Sequence, residues 1–254
     1  MASQNHVILI TGANRGIGLA ILHSLAIALP SSTLLLGCRD TAKGEAAISD
    51  LQPKGVNVTI IPLQLDVTSN NSIKAAVERV QQKHGKLDVL INNAGYATIP
   101  PDPSKDADGY RSAFQTVYDV NVVGVALCTT LFLPLLRKSP NARVINISSG
   151  RASMQTLASG TMPATVSMPY SVSKVALNAL TVEMSRYEEN KGVMFQLVNP
   201  GHCKTEFNGY RGMRDPMEGA VVVVECVLRG REELGNACFW ETKGESREVV
   251  RVPW

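Results

Sequence analysis

Short apolar runs rich in β-branched residues alternate with helix-length segments almost from the first residue, and this alternation restricts the fold more than any other feature of the chain. His6-Val7-Ile8-Leu9-Ile10 has the length and content of a buried strand. Gly16 to Leu29 reads as a helix, apolar nearly all round and stopped by Pro30. Further strands are expected at Thr33–Gly37, within Val56–Leu65, and at Leu87–Asn92, Arg143–Ile147, Val193–Val198 and Ala237–Trp240. Helices are expected from Asp40 or Thr41 to Leu51, at Ile73–Lys83, in two pieces over Tyr110–Lys138, and at Ser171–Glu189 and Met217–Leu228. Ile99–Pro103 and Ser153–Pro169 read as loops, the second with at most a short turn. Continuous apolar strands separated by helices imply a parallel sheet covered on both faces, with right-handed crossovers. The expectation is therefore an α/β chain with a doubly wound, mostly parallel sheet of seven strands. No linker or repeat divides it, so residues 1–254 read as one domain.

Composition narrows the function classes. With 44% apolar and 19% charged residues, the 254-residue chain can bury a large core and is neither disordered nor fibrous. Its net charge of +3 is weak and dispersed, so there is no electrostatic footprint for nucleic acid or a membrane surface. The cysteines, Cys38, Cys128, Cys203, Cys226 and Cys238, form no C-x-x-C pair. No metal site is expected, and the odd, scattered set fits a reducing compartment, hence a cytoplasmic protein. Met1 to His6 lacks the basic-then-apolar pattern of a secretory leader. Val122–Leu136, the most apolar run, is too short for a membrane span and reads as a buried core helix.

Thr11-Gly12-Ala13-Asn14-Arg15-Gly16-Ile17-Gly18 lies between the first strand and the first helix. Gly12 suits a tight turn, Gly16 lets backbone approach a pyrophosphate, and Gly18 permits close packing of helix on sheet. The helix N-terminus offers free N–H groups and partial positive charge to phosphates. In such sheets a ligand lies at the carboxyl ends of the strands, where strand order reverses.

The G-x-x-x-G-x-G spacing after a threonine resembles the short-chain dehydrogenase/reductase family, a single Rossmann fold. Four more segments strengthen the resemblance in the family's order: Leu65-Asp66-Val67-Thr68, Asn92-Asn93-Ala94-Gly95, Tyr170-Ser171-Val172-Ser173-Lys174, and Asn199-Pro200-Gly201 followed by Thr205. The resemblance covers about residues 7 to 205 and implies a nicotinamide cofactor. Gly12, Asn14, Arg15, Gly16, Ile17 and Gly18 would then cradle its phosphates. Asp66 and Val67 would lie at the adenine, Asn93, Ala94 and Gly95 along the cofactor, and Pro200, Gly201 and Thr205 at the nicotinamide. Asp66 also reads as part of a helix cap with Thr68, and Asn93 reads equally as a structural strand-end turn. About 20 positions after Gly18, where an acidic residue would select NAD, stands Cys38, followed by Arg39. Arg15 and Arg39 could hold a 2′-phosphate, which favours NADP(H). The alternative is that both are solvated and Asp40 binds the ribose, although Asp40 is also placed to cap the next helix.

Tyr170 and Lys174 are four apart and share a helix face. A nearby ammonium and a nicotinamide cation would lower the phenol's pKa and make it a general acid or base. In the family a serine after the fifth strand bonds the substrate oxygen. The pattern Asn146-Ile147-Ser148-Ser149 puts that role on Ser149 and leaves Ser148 structural. The Ser149–Tyr170 interval is longer than the family's commonest spacing. Asn121 resembles the fourth catalytic residue, positioning a water beside Lys174, or it is a satisfied core amide.

The resemblance implies hydride transfer between NADP(H) and a small-molecule ketone, aldehyde or alcohol, in the manner of carbonyl reductases. Tyr96, Arg151, Met154, Met162, Met168, His202, Cys203, Phe207 and Tyr210 are candidate pocket residues and suit a hydrophobic substrate. Residues 201–215 would form a lid. The family often forms homo-oligomers through two long helices, here about 110–138 and 170–190, and this leaves assembly open. A catalytically silent NADPH-binding regulator is the alternative function.

Overall fold

The computed structural model describes residues 5–51, 56, 58–244 and 248–254. The reading of residues 1–4 and of position 57 in the third-strand segment lies outside them. Strands β1 (Val7–Thr11), β2 (Thr33–Cys38), β3 (Thr59–Gln64), β4 (Val89–Asn92), β5 (Arg143–Ile147), β6 (Met194–Asn199), β7 (Cys238–Thr242) and β8 (Val249–Arg251) form one sheet. Its order is β3-β2-β1-β4-β5-β6-β7-β8, so strand order reverses between β1 and β4. Every pairing is parallel except β7 with β8. The sheet thus has eight strands where seven were expected. The added strand is three residues long and follows a charged run, too short to show a period.

Helices α1 (Gly16–Ala28), α2 (Thr41–Leu51), α3 (Asn70–His84), α4 (Ala107–Tyr118), α5 (Gly124–Leu136), α6 (Met154–Ala158), α7 (Met168–Arg186), α8 (Pro216–Leu228) and α9 (Arg231–Leu234) fill the crossovers. Strands β1, β2, β4, β5 and β6 are buried on both faces, and the pleat sorts their side chains by parity. Ile8, Ile10, Leu34, Leu36, Val89, Ile91, Ile145 and Ile147 pack with α1, α2 and α8. Val7, Leu9, Leu35, Leu90 and Val144 pack with α3, α5 and α7. At one edge β3 carries Pro62, which lies opposite Leu36.

A single turn of π-helix, Asp119–Val123, joins α4 to α5. The resulting helical run Ala107–Leu136 is long and apolar enough to cross a membrane by length and composition, yet half of its most apolar stretch is buried. Cys128, Phe132, Leu133, Leu135 and Leu136 are core residues, in keeping with the core-helix reading. Where Ser153–Pro169 reads as a loop, the chain forms α6, capped by Ser153, and enters α7 at Met168. Ser153 accepts from the Thr156 N–H, a cap whose apolar period is too short to register in sequence.

Two polar pairs sit inside this core. Asn92 donates to Asn146 at 2.8 Å and to Thr129 at 3.0 Å, and Asn146 donates to Thr181 at 2.8 Å. Both asparagines share the face of Leu90 and Val144, and so tie β4 and β5 to α5 and α7. At the other end of the strands, Asp88 accepts from Val7 N–H, from Ser139 and from Lys86. Burial opposes its charge, but these hydrogen bonds and the Lys86 ammonium prevail and hold its carboxyl below the ordinary 3.8.

A lowered carboxylate pKa contributes stability above the unfolded value and loses it on acidification. Asp88→Asn should therefore destabilise the protein by about 1–3 kcal/mol near neutrality. The gap should narrow once the pH falls below 3.8, as urea unfolding of both proteins across pH will read.

Candidate active site

The glycine turn is built as its spacing demands. Gly12 (φ +63°) and Gly16 (φ +58°) adopt left-handed backbone, and a Cβ on Gly12 would stand 3.0 Å from Ala94 Cα. Gly18 makes room for a specific group: a Cβ there would lie 2.4 Å from the Asn93 amide nitrogen. That amide donates to the carbonyls of Thr11 (2.8 Å) and Gly12 (3.0 Å). The Thr11 hydroxyl in turn accepts from the N–H groups of Asn93 and Ala94. Of the two roles read for Asn93, the strand-end tie is the one its contacts form. Arg15 caps α1 without a side-chain bond, and the first turn holds no acidic residue. The first N–H groups of α1 are thus left to an anion. Asn14 and Ile17 are half-buried within the same turn.

Arg39 is exposed at the end of β2. Asp40 accepts from the N–H groups of Ala42 (3.0 Å) and Lys43 (3.4 Å), which is the capping role rather than a free carboxylate. Asp66 accepts from Thr68 N–H (3.0 Å) and hydroxyl (2.8 Å), while Ser69 caps α3. The backbone of Val67 lies under the start of α5, its carbonyl 2.7 Å from where a Gly124 Cβ would be.

The second serine is the one beside the tyrosine. Ser148 is buried and donates to Asn178 at 2.6 Å. Ser149 hydrogen-bonds the Tyr170 side chain. Lys174, one helical turn beyond Tyr170, is buried with its Nζ 5.6 Å from the phenol ring centre, and donates to the Ile147 carbonyl at 2.7 Å. Burial lowers its pKa to about 8. Burial raises the Tyr170 pKa and outweighs the Ser149 hydrogen bond and the Arg151 charge, which act in the opposite direction.

Asn121 sits fully buried in the π turn. Its Oδ1 accepts from Tyr96 N–H (2.8 Å), and its Nδ2 donates to the Tyr96 carbonyl (2.9 Å) and the Ser173 hydroxyl (3.0 Å). Its side chain is saturated, as in the core-amide reading, and it ties α7 to the chain after Gly95.

The segment after β6 lies over the cleft between these two halves. Thr205 is buried and packs 3.6 Å from where a Gly16 Cβ would be. Glu206 pairs with Arg15 at 2.6 Å, and Phe207 meets the Tyr170 ring edge-on with centroids 5.6 Å apart. Gly201 has left-handed backbone beside Arg214, and Pro200 is buried. Among the expected pocket residues, Cys203 turns inward to bond the Pro200 carbonyl, and His202 is exposed. Met162 approaches Gly150, and Met168 accepts weakly from Tyr110. A groove of about 240 Å³ between Tyr96–Pro101 and α4 adjoins the site without including Ser149, Tyr170 or Lys174. Asn178, Thr129 and Thr181, which partner Ser148, Asn92 and Asn146, carried no sequence signal beyond being polar residues in apolar segments. No His/Cys/Asp/Glu cluster suited to a metal occurs among the described residues.

The sequence profile of the short chain dehydrogenase family matches residues 6–215. A short-chain dehydrogenase/reductase of Aspergillus fumigatus is 36% identical, over 99% of this chain and 98% of its own. The short-chain dehydrogenase anuI of Penicillium roqueforti is 34% identical over 98% and 97%. The solved structure of an NADPH-bound carbonyl reductase from chicken fatty liver superposes with a TM-score of 0.78 at 28% identity, covering 98% of this chain and 99% of that one.

A lysine whose folded pKa lies below 10.5 keeps its proton longer when unfolded, so stability rises with pH between the two values. Relative to Lys174→Met, the wild type should gain about 1–2 kcal/mol from about pH 7 to about pH 9.5, measured by urea unfolding without nucleotide.

Proposed function

We propose, from the fact that this chain belongs to the short-chain dehydrogenase family, that it is an NADPH-dependent oxidoreductase interconverting a ketone or aldehyde and its alcohol. The observation that carries this reading is the convergence of Ser149, Tyr170 and Lys174 beside a left-handed glycine turn at the reversal of strand order.

The residues present fit a dinucleotide. The Gly12–Gly18 turn leaves no Cβ where backbone must approach phosphate, and α1 offers uncapped N–H groups. Arg15 and Arg39 are exposed guanidinium groups on the two neighbouring strand ends, suited to a 2′-phosphate by charge-assisted bonds. Asp40 is engaged in capping α2, which weakens the NAD alternative. When bound, the nicotinamide supplies or accepts the hydride.

The protein's own part is proton placement and electrostatics. Burial keeps the Tyr170 phenol protonated, the state from which it donates to a carbonyl oxygen gaining negative charge. The Ser149 hydroxyl bonds the same oxygen and stabilises the developing charge. Lys174, held by the Ile147 carbonyl, brings a buried cation beneath the phenol and favours phenolate once the proton has left. Asn121 positions α7 against the Gly95–Tyr96 backbone and so sets the depth of Tyr170 and Lys174. Phe207, Met162 and Tyr96 give the mouth an apolar character, which suits a hydrophobic carbonyl compound. Its five free cysteines suit a reducing cytoplasmic setting.

Loss of NADPH absorbance with a panel of ketones, aldehydes and quinones tests the reading. Tyr170→Phe should reduce turnover by about 10²- to 10⁴-fold while NADPH affinity is retained. Retained turnover would remove the tyrosine mechanism, and NADPH binding with no turnover by the wild type would favour the silent regulator. Arg39→Ala should cut the preference for NADPH over NADH by about tenfold, and an unchanged ratio would remove Arg39 from the phosphate site.

A further inference from the structure

Three consecutive residues of the segment after β6 touch three different parts of the cleft. Thr205 packs on Gly16, Glu206 pairs with Arg15, and Phe207 rests on Tyr170. The base of this segment is fixed. Lys204 N–H donates to the Arg214 carbonyl at 2.8 Å, and the N–H groups of Met213 and Arg214 donate to the His202 carbonyl. The Arg214 side chain bonds the carbonyls of Pro200 and Gly244. Gly212 has no space for a side chain, because a Cβ would stand 2.1 Å from the Cys203 oxygen.

The tip is held mainly by itself. Tyr210 N–H donates to the Thr205 carbonyl at 2.8 Å, and the Asn208 amide donates to the Cys203 carbonyl at 2.8 Å. Among the described residues, the Arg15–Glu206 pair is the one polar contact from this tip to the glycine turn. Both its side chains are well exposed, at 60% and 59%. Such a pair is weak and reversible.

We propose that Glu206 is an internal stand-in for the cofactor's 2′-phosphate on Arg15, and that it sets how strongly the chain discriminates phosphorylated from unphosphorylated nucleotide. This rests on the reading that Arg15 faces the 2′-phosphate. A phosphate with close to two negative charges and three acceptor oxygens outcompetes one carboxylate for a guanidinium. The two anions cannot share Arg15 without repulsion, so arrival of the phosphate expels Glu206. A nucleotide that lacks the 2′-phosphate, with its 5′-phosphates on the α1 N–H groups, brings no rival to the guanidinium and leaves the pair intact. Glu206 therefore weakens binding of the phosphorylated nucleotide alone. The same event unfastens the tip that carries Phe207 against Tyr170.

The test is calorimetric titration of 2′,5′-ADP and of 5′-AMP, which differ only in the 2′-phosphate, into the wild type, Glu206→Gln, Arg15→Ala and the double variant. These probes contain no nicotinamide, so turnover plays no part. Glu206→Gln should bind 2′,5′-ADP about two- to fivefold tighter, with 5′-AMP unchanged. The gain should shrink in the Arg15→Ala background. If Arg15→Ala weakens 2′,5′-ADP but Glu206→Gln matches the wild type, the stand-in role is overturned while the cofactor reading survives. Equal tightening of both nucleotides also overturns it. If Arg15→Ala leaves 2′,5′-ADP affinity unchanged, the phosphate reading fails and the proposal falls with it.

Discussion

Two buried asparagines, directly opposite each other on neighbouring central strands, set the positions of the elements that carry Ser149, Tyr170 and Lys174. Asn92 and Asn146 are register partners on β4 and β5, and their side chains reach Thr129 on α5 and Thr181 on α7. Both side chains are buried, and the bonds they form hold the helices at the rotation and height at which those hydroxyls meet the amides. An apolar contact would tolerate sliding by part of a turn. A hydrogen bond near 2.8 Å does not. Tyr170 and Lys174 ride on α7, Asn121 precedes α5, and Ser149 follows β5. Their mutual placement is inherited from this ladder.

The cofactor side has its own joint. Thr11 and Asn93 exchange bonds across the point where strand order reverses, and Gly18 is the residue that lets the amide in. The glycine turn and the β4 end are thus one piece, so the backbone of the turn and the chain leading to Asn121 hold a fixed separation. Asn121 completes the link by clamping Tyr96 on one side and Ser173 on the other. A π turn is the local solution that points this one amide inward from a helix otherwise lined with apolar residues.

Much of this could be read in the chain beforehand, for identifiable reasons. Strands buried on both faces have unbroken apolar content, so β1, β2, β4, β5 and β6 stood out. The glycine spacing and Y-x-x-x-K are local patterns whose geometry follows from backbone alone. Ser149 lies beside Tyr170 while Ser148 bonds Asn178, because alternate residues at a strand end face opposite ways. What escaped detection depends on long-range partners. Nothing near Asn92 or Asn146 announces Thr129 or Thr181, and nothing near Arg15 announces Glu206. α6 and β8, five and three residues long, are too short for a repeating apolar pattern to show. The burial that raises the phenol pKa is a property of the folded surroundings, not of the Tyr-Lys spacing.

The two rims of the sheet have a bearing on how copies of this protein meet. β3 carries Pro62, which has no N–H to offer a further strand, and β8 is three residues long and runs against its neighbour, with Arg251 over the Trp240 ring at 5.4 Å. Short strands, proline and charge are the devices that stop open sheets from templating one another. A crowded solution of these molecules is thereby protected against edge-to-edge polymerisation, even though the sheet interior is among the most aggregation-prone sequence in the chain. Any orderly association is left to the helical faces.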